Sequence, residues 1–213
     1  MRRMNTTKRL AAERADERYR ADTAGHIMEV ALDQGLYRHL RFRAPGSGFN
    51  WFELITTPGQ LTFRGDMGTY VFARDEDMFA FFELGRGINA DYRAEKVQAE
   101  DINSPVRDYS RDLFIQAVIE QFWYSRENLD DPAEVWREIR EQLLDDEYGP
   151  SGNETLAYTA AMDFREGGFE FYDVADWRLK AFSFHYLYAL HAIVDGIRQY
   201  RAHQASQSEA VAA

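Results

Sequence analysis

Between Tyr37 and Ala73 apolar and polar side chains alternate, and residues suited to tight turns break the alternation at short intervals. In Tyr37–Arg43, Leu40 and Phe42 alternate with His39, Arg41 and Arg43. A period of two marks a strand, because successive side chains point to opposite faces. Ala44-Pro45-Gly46-Ser47-Gly48 is turn chemistry, and Asn50–Thr57 reads as a second strand. Pro58-Gly59 suits the centre of a type II turn: Pro fixes φ and Gly takes a positive φ. Gln60–Arg64 is the third strand, with Leu61 and Phe63 on one face. The turn Gly65-Asp66-Met67-Gly68 leads to a fourth strand, Thr69–Ala73. Short strands joined by short loops predict a four-stranded antiparallel meander, whose apolar face needs a cover of helices.

The flanking sequence supplies helices. Leu10, Ala24, Ile27, Met28, Ala31 and Leu32 give a partial apolar stripe, predicting a charged N-terminal helix over 7–34 that Gly35 stops. Asp75 is placed to cap a helix carrying Met78, Phe79, Phe81 and Phe82, and Tyr92–Glu100 suggests a short helix. Ser110 caps a helix with Leu113, Phe114, Ala117, Val118 and Phe122 on one face. Asp131-Pro132-Ala133-Glu134 is a strong start signal for the next. A further helix starts at Ser151 or Asn153 and ends near Gly167-Gly168. Phe169–Tyr172 reads as a short strand, and Asp176 opens a last helix to about His203. The expected fold class is α+β: the meander at 37–73, covered by helices, with a mostly helical remainder over 75–203. It is read as one domain, 1–203, with a disordered tail at 204–213.

Composition narrows the function. The chain of 213 residues has no Cys, which removes disulfides, thiolate zinc sites and thiol catalysis. The N-terminal segment is charged, so no secretory signal is expected, and the apolar-rich stretch Ala181–Val194 is too short to span a membrane. A reducing compartment fits this pattern. The net charge of −11 argues against general nucleic-acid binding. Residues 1–43 carry 10 Lys/Arg and 6 Asp/Glu, whereas the rest carry 15 and 30, an acidic body behind a basic arm.

The blocks RFRAPG and NWFELITTPGQLTFRGDMGTYVFAR in Arg41–Arg74 are followed by DMFAFF at Asp77–Phe82 and YRAEKVQAED at Tyr92–Asp101. FEFYD at Phe169–Asp173 and HAIVDGIRQY at His191–Tyr200 come later. In content and order these resemble an uncharacterised family of hypothetical proteins from tailed phages and prophages. The chain departs from that pattern at Thr57, where the family carries Trp, and at Arg93, where it carries an aromatic. The resemblance implies a phage or prophage origin and expression in a bacterial cytoplasm; it implies no reaction.

Several residues are candidates for a site. The two glycines around Asp66 can converge backbone N–H groups on an anion, with Asp66 as a base or ion ligand; an ordinary hairpin turn is the plainer reading. Arg41, Arg43 and Arg64 lie at alternating positions on neighbouring strands, and with Trp51 and Tyr92 as stacking surfaces they suit a phosphate-bearing base. Cross-strand pairing with Glu53 is the plainer reading. Tyr92, Glu95 and Lys96 can do acid–base work or can form a solvated helix face. His191 and Asp195, four apart with Tyr188 on the same face, have the spacing of a His oriented by a carboxylate; a buried hydrogen bond accounts for them too, and His185 reads as a core residue. No dense ligand cluster, nucleophile elbow or cofactor motif is present, so neither a metal nor a cofactor is expected. With the resemblance to phage and prophage proteins, these features lead to the expectation of a non-enzymatic accessory protein that binds a host protein or a nucleotide-like ligand; countering a host defence is one role that the resemblance implies. An enzyme acting on a phosphorylated small molecule and a structural virion component are the alternatives.

Overall fold

Three two-residue loops set the architecture. Gly35-Leu36, Pro58-Gly59 and Asp66-Met67 each join adjacent antiparallel strands, pairing Gln34 with Tyr37, Thr57 with Gln60 and Gly65 with Gly68. Gly35 and Gly59 take φ of +67° and +80°, a region that a Cβ makes costly. The structure is a computed structural model and describes residues 2–84, 87–146 and 148–212. In chain order its elements are α1 (Arg2–Thr23), β1 (Ile27–Gln34), β2 (Tyr37–Arg43), β3 (Phe52–Thr57), β4 (Gln60–Gly65) and β5 (Gly68–Ala73). There follow α2 (Met78–Glu83), α3 (Ala90–Ala94), β6 (Val97–Glu100), β7 (Arg107–Tyr109), α4 (Arg111–Ser125) and α5 (Pro132–Ile139). The last are α6 (Glu154–Asp163), β8 (Arg165–Glu166), β9 (Phe169–Glu170), β10 (Lys180–Phe182) and α7 (Phe184–Ala212).

The class is α+β with an antiparallel sheet and a helical C-terminal half, but the sheet has six strands in the order β1-β2-β3-β4-β5-β6, not four. The four expected strands are β2 to β5. The first addition, β1, occupies the second half of the segment expected as a helix over 7–34. That helix ends at Thr23. Met28 and Val30 alternate inward, Ala31 is the extra residue of a bulge, and pairing with β2 from Ile27↔Arg43 to Gln34↔Tyr37 supplies the hydrogen bonds. The second addition, β6, pairs with β5 where Tyr92–Glu100 reads as a helix; only the five-residue α3 is helical there.

Other boundaries move for local reasons. Asp77, not Asp75, caps α2, accepting from the Phe79 N–H at 3.0 Å. Asp131 caps α5, Ser110 caps α4 and Asn153 caps α6, as their sequences indicate. Gly167 and Gly168, with φ of +55° and +78°, form the β8–β9 turn instead of ending a helix. Asp176 lies in a 3₁₀ turn, and α7 starts at Phe184 and continues to Ala212, so residues 204–212 are helical and not an irregular tail.

The chain divides into two compact units, residues 1–106 with 182–213, and residues 107–181. In the first, one sheet face is fully buried: Leu40, Phe42, Phe52, Leu54, Leu61, Phe63, Tyr70 and Phe72 pack with Leu190, Ile193, Ile197 and Tyr200 of α7, Ala15 and Tyr19 of α1, and Phe79 of α2. Each such side chain contributes about 1.5–3 kcal/mol on burial. Gly196 lets α7 approach the sheet, since a Cβ there would lie 2.9 Å from Leu54 and 3.0 Å from Phe42. The second unit has its own core, built by Phe114, Val118 and Phe122 of α4, Val135 and Ile139 of α5, Ala157 and Ala161 of α6, and Phe164, Phe169 and Phe171. Here β7 pairs with β10. No helix among the described residues is long and apolar enough to cross a membrane.

Candidate functional site

The strand register decides the fate of the arginine patch. Glu29, Arg41, Glu53 and Arg64 are consecutive partners across β1, β2, β3 and β4, so their side chains share one row on the face of the sheet opposite the buried one. Signs alternate along that row. Arg41 reaches Glu53 at 3.2 Å and Glu29 at 3.5 Å; Arg64 reaches Glu53 at 3.3 Å; Arg43 reaches Glu29 at 3.5 Å. His39 joins from the next row, 3.2 Å from Glu53. Trp51 lies under the Arg64 guanidinium at 5.5 Å and, with Arg41 and Arg43, edges a shallow concavity. Three cations are thus answered by two carboxylates, the cross-strand arrangement that stabilises a sheet.

Asp66 is engaged as well. Its carboxylate accepts the backbone N–H of Asn50, a residue held at φ +59°, so it ties the Ala44–Trp51 loop to the β4–β5 turn. The flanking glycines are required sterically. A Cβ on Gly65 would lie 2.3 Å from the Trp51 carbonyl oxygen, and one on Gly68, whose φ is +92°, would lie 2.7 Å from Ser104. The turn is a hairpin with a closed hydrogen-bond account. Tyr92 and Lys96 belong to a different place. The Lys96 ammonium sits 4.7 Å from the Tyr92 ring and 3.2 Å from Glu95, beyond the β5–β6 end of the sheet. The seven sequence candidates therefore form two groups, Arg41, Arg43, Trp51, Arg64 and Asp66 in one, Tyr92 and Lys96 in the other.

His191 and His185 have structural partners. His191 does not pair with Asp195; its Nδ1 lies 3.2 Å from Asp16 on α1, and the Ala12 carbonyl also faces the ring. Burial lowers its pKa and outweighs the pull of Asp16. Asp195 instead accepts from the Tyr19 hydroxyl at 2.7 Å and from Gln199 at 2.9 Å, and pairs with Arg198. Tyr188 packs its ring edge-on to Tyr19, and His185 exchanges a hydrogen bond with Ser104 at 2.9 Å. Among the described residues no group of three or more His, Asp or Glu side chains is placed to hold a metal ion.

A feature that periodicity does not reveal is the distribution of charge between the units. Residues 107–181 contain 18 Asp/Glu and 8 Lys/Arg, a balance of −10; the remainder contains 18 and 17, a balance of −1. Almost the whole net charge of −11 is in one unit. On its helix α4, Phe114, Val118 and Phe122 face the core. The opposite face presents Ile119, Trp123 and Tyr124, the two aromatics 61% and 79% exposed, beside the exposed acids Asp112, Glu120 and Glu127. The Arg126 guanidinium already rests on one side of the Trp123 ring, 3.9 Å from its centre. Tyr172 extends the patch, held by paired backbone hydrogen bonds to the Gln121 amide. Two large adjacent rings left this exposed in the last turn of a helix form an apolar patch of the kind that marks interaction surfaces.

No family model, no curated protein and no solved structure matches this chain.

Proposed function

We propose that this chain is a non-enzymatic binding protein, a phage or prophage accessory protein acting in the bacterial cytoplasm, that docks on a basic surface of a host protein through residues 107–181. The observation that carries this reading is the coincidence, on α4, of two exposed aromatic rings with the acidic charge of that unit. Exposed Trp and Tyr are the side chains that dominate protein interfaces, and a single-sign field steers an oppositely charged partner toward them. The stacking of Arg126 on Trp123 is a contact that a partner's arginine can repeat on the ring's free side. A role in countering a host defence falls within this reading. The enzyme alternative draws less support, because Asp66, Arg41, Arg43 and Arg64 are each engaged in the fold and Lys96 lies elsewhere.

The test is affinity capture by the full-length chain from a bacterial host lysate, quantified by mass spectrometry for three forms. Trp123→Ala with Tyr124→Ala, and Glu120→Lys with Glu127→Lys, should each lose the same basic protein that the unaltered chain recovers. Arg43→Ala with Arg64→Ala, on the sheet, should keep it. Recovery that is indifferent to the α4 changes rejects the reading.

A further inference from the structure

Among the described residues Arg93 has no ionic partner. It sits on α3 with 4% of its surface exposed. Phe81 and Phe82, perpendicular to each other, both lie against its guanidinium, their ring centres 4.0 and 4.6 Å away. One terminal nitrogen donates to the carbonyls of Phe82 and Leu84, both at a long 3.4 Å. The other, Nη1, is buried and finds no partner among the described residues. Asp75 acts on the group only through space, and burial lowers the arginine's pKa. A guanidinium does not give up its proton in a protein, so a buried, half-satisfied fork is costly unless something supplies an acceptor.

The same residue lines a concavity of about 490 Å³. Around its mouth stand Arg74, Asp75, Asn89 and Tyr92, with Phe81 and Leu84 as apolar walls. Tyr92 is 40% exposed, and its ring is 5.9 Å from both Phe81 and the Arg93 guanidinium. The cleft therefore combines a buried, under-satisfied arginine in its lining, a second cation and a ring-bearing wall. That is the pattern of a small-ligand site, apolar walls with a few convergent polar groups. Among the described lining residues one acid stands against two arginines.

We infer that this cleft binds a small molecule that carries an oxyanion, phosphate or carboxylate, on a planar ring. The oxyanion pairs with the Arg93 guanidinium, and the ring lies against Tyr92 and Leu84. Tyr92, singled out in the sequence as a stacking surface, keeps that role; its companion is Arg93 and not the arginines of the sheet. The inference is independent of the α4 face.

Calorimetric titration of the full chain with adenosine monophosphate, adenosine, benzoate and benzamide tests it. At least one of the two acids should bind with a Kd under roughly 1 mM. Its uncharged counterpart should bind at least about tenfold more weakly, as loss of a charge-assisted hydrogen bond requires. Which acid binds identifies the oxyanion. Arg93→Lys, which keeps the charge and removes the fork, should abolish the preference for the acid. Tyr92→Ala, at a partly exposed ring, should weaken binding several-fold while leaving the fold intact, and carries the test if the Arg93 variant does not fold. Acids that bind no better than their neutral counterparts, or affinity that survives Tyr92→Ala unchanged, overturn the inference.

Discussion

The guanidinium of Arg38 grips the carboxylate of Asp77 with both terminal nitrogens, at 2.8 and 3.2 Å, and so joins the start of β2 to the N-cap of α2. Asp77 at the same time caps α2 through the Phe79 N–H. Phe79 and Tyr200 stack on the guanidinium, their ring centres 4.7 and 5.9 Å away, which shields the pair from water. Burial alone would raise the Asp77 pKa; the Arg38 hydrogen bonds, the Phe79 amide and the charges of Arg38 and Arg201 together bring it below the ordinary value.

Asp77→Ala removes the cap and leaves Arg38 buried without its partner. A loss of about 3 kcal/mol is expected, from cap and pair together. Asp77→Asn keeps the cap and should cost less. Urea denaturation monitored by circular dichroism measures both, and an Asp77→Asn variant as stable as the parent would show that the ion pair is inert.

The β4–β5 turn should be intolerant in a specific way. Gly65→Ala forces a carbon into the Trp51 carbonyl and should cost about 2–3 kcal/mol. Gly48→Ala, where open space surrounds the added carbon and φ is not positive, should be neutral or slightly stabilising. Thermal midpoints of the two variants, compared with the parent, decide; a harmless Gly65→Ala would mean that the β3–β4 register is wrong.

Stability should fall as pH drops below the ordinary histidine range. His191 and His26 both have lowered pKa values, each chiefly from burial. The unfolded chain therefore takes up these protons before the folded chain does, and the linkage relation makes stability decrease as pH falls from the unfolded value of about 6.5 toward the folded ones. Asp77 adds a further loss only at lower pH, below the usual carboxylate pKa. Urea midpoints between pH 7.5 and 5 should decline, and His191→Gln should flatten the decline. A midpoint that stays level across that window contradicts it.

The α4 face should be dispensable for folding. Trp123→Ala and Tyr124→Ala alter exposed rings and should shift stability by no more than about 0.5 kcal/mol, whereas Phe122→Ala, their buried neighbour, should cost about 3–5 kcal/mol. Chemical denaturation of the three variants separates them, and a large loss for Trp123 would recast it as a packing residue.

The central strands were legible because two independent signals agree over Tyr37–Ala73: alternation and turn chemistry. β1 was not, since Ile27, Met28, Ala31 and Leu32 fit a helix as well as a bulged strand, and only the presence of β2 as a hydrogen-bond partner decides between them. β6 carries no alternation at all; Val97 is half-buried and the rest of this edge strand is exposed. The charge ladder follows from register, so Arg41 and Arg64 could be paired with Glu53 from the sequence. Arg93 could not be singled out, because its burial is created by Phe81 and Phe82 from another helix. The acidity of residues 107–181 is a simple count, but it becomes visible only once the unit's limits are known.

Hydrogen exchange on the full chain, free and in complex with the basic protein it captures, addresses the docking surface most directly. Slowed exchange should concentrate in α4 and the turn after it, residues 111–128, with the open face of the sheet unchanged. Protection confined to β2–β4 or to the N-terminal helix, with α4 exchanging as in the free chain, would contradict a role for the Trp123–Tyr124 face.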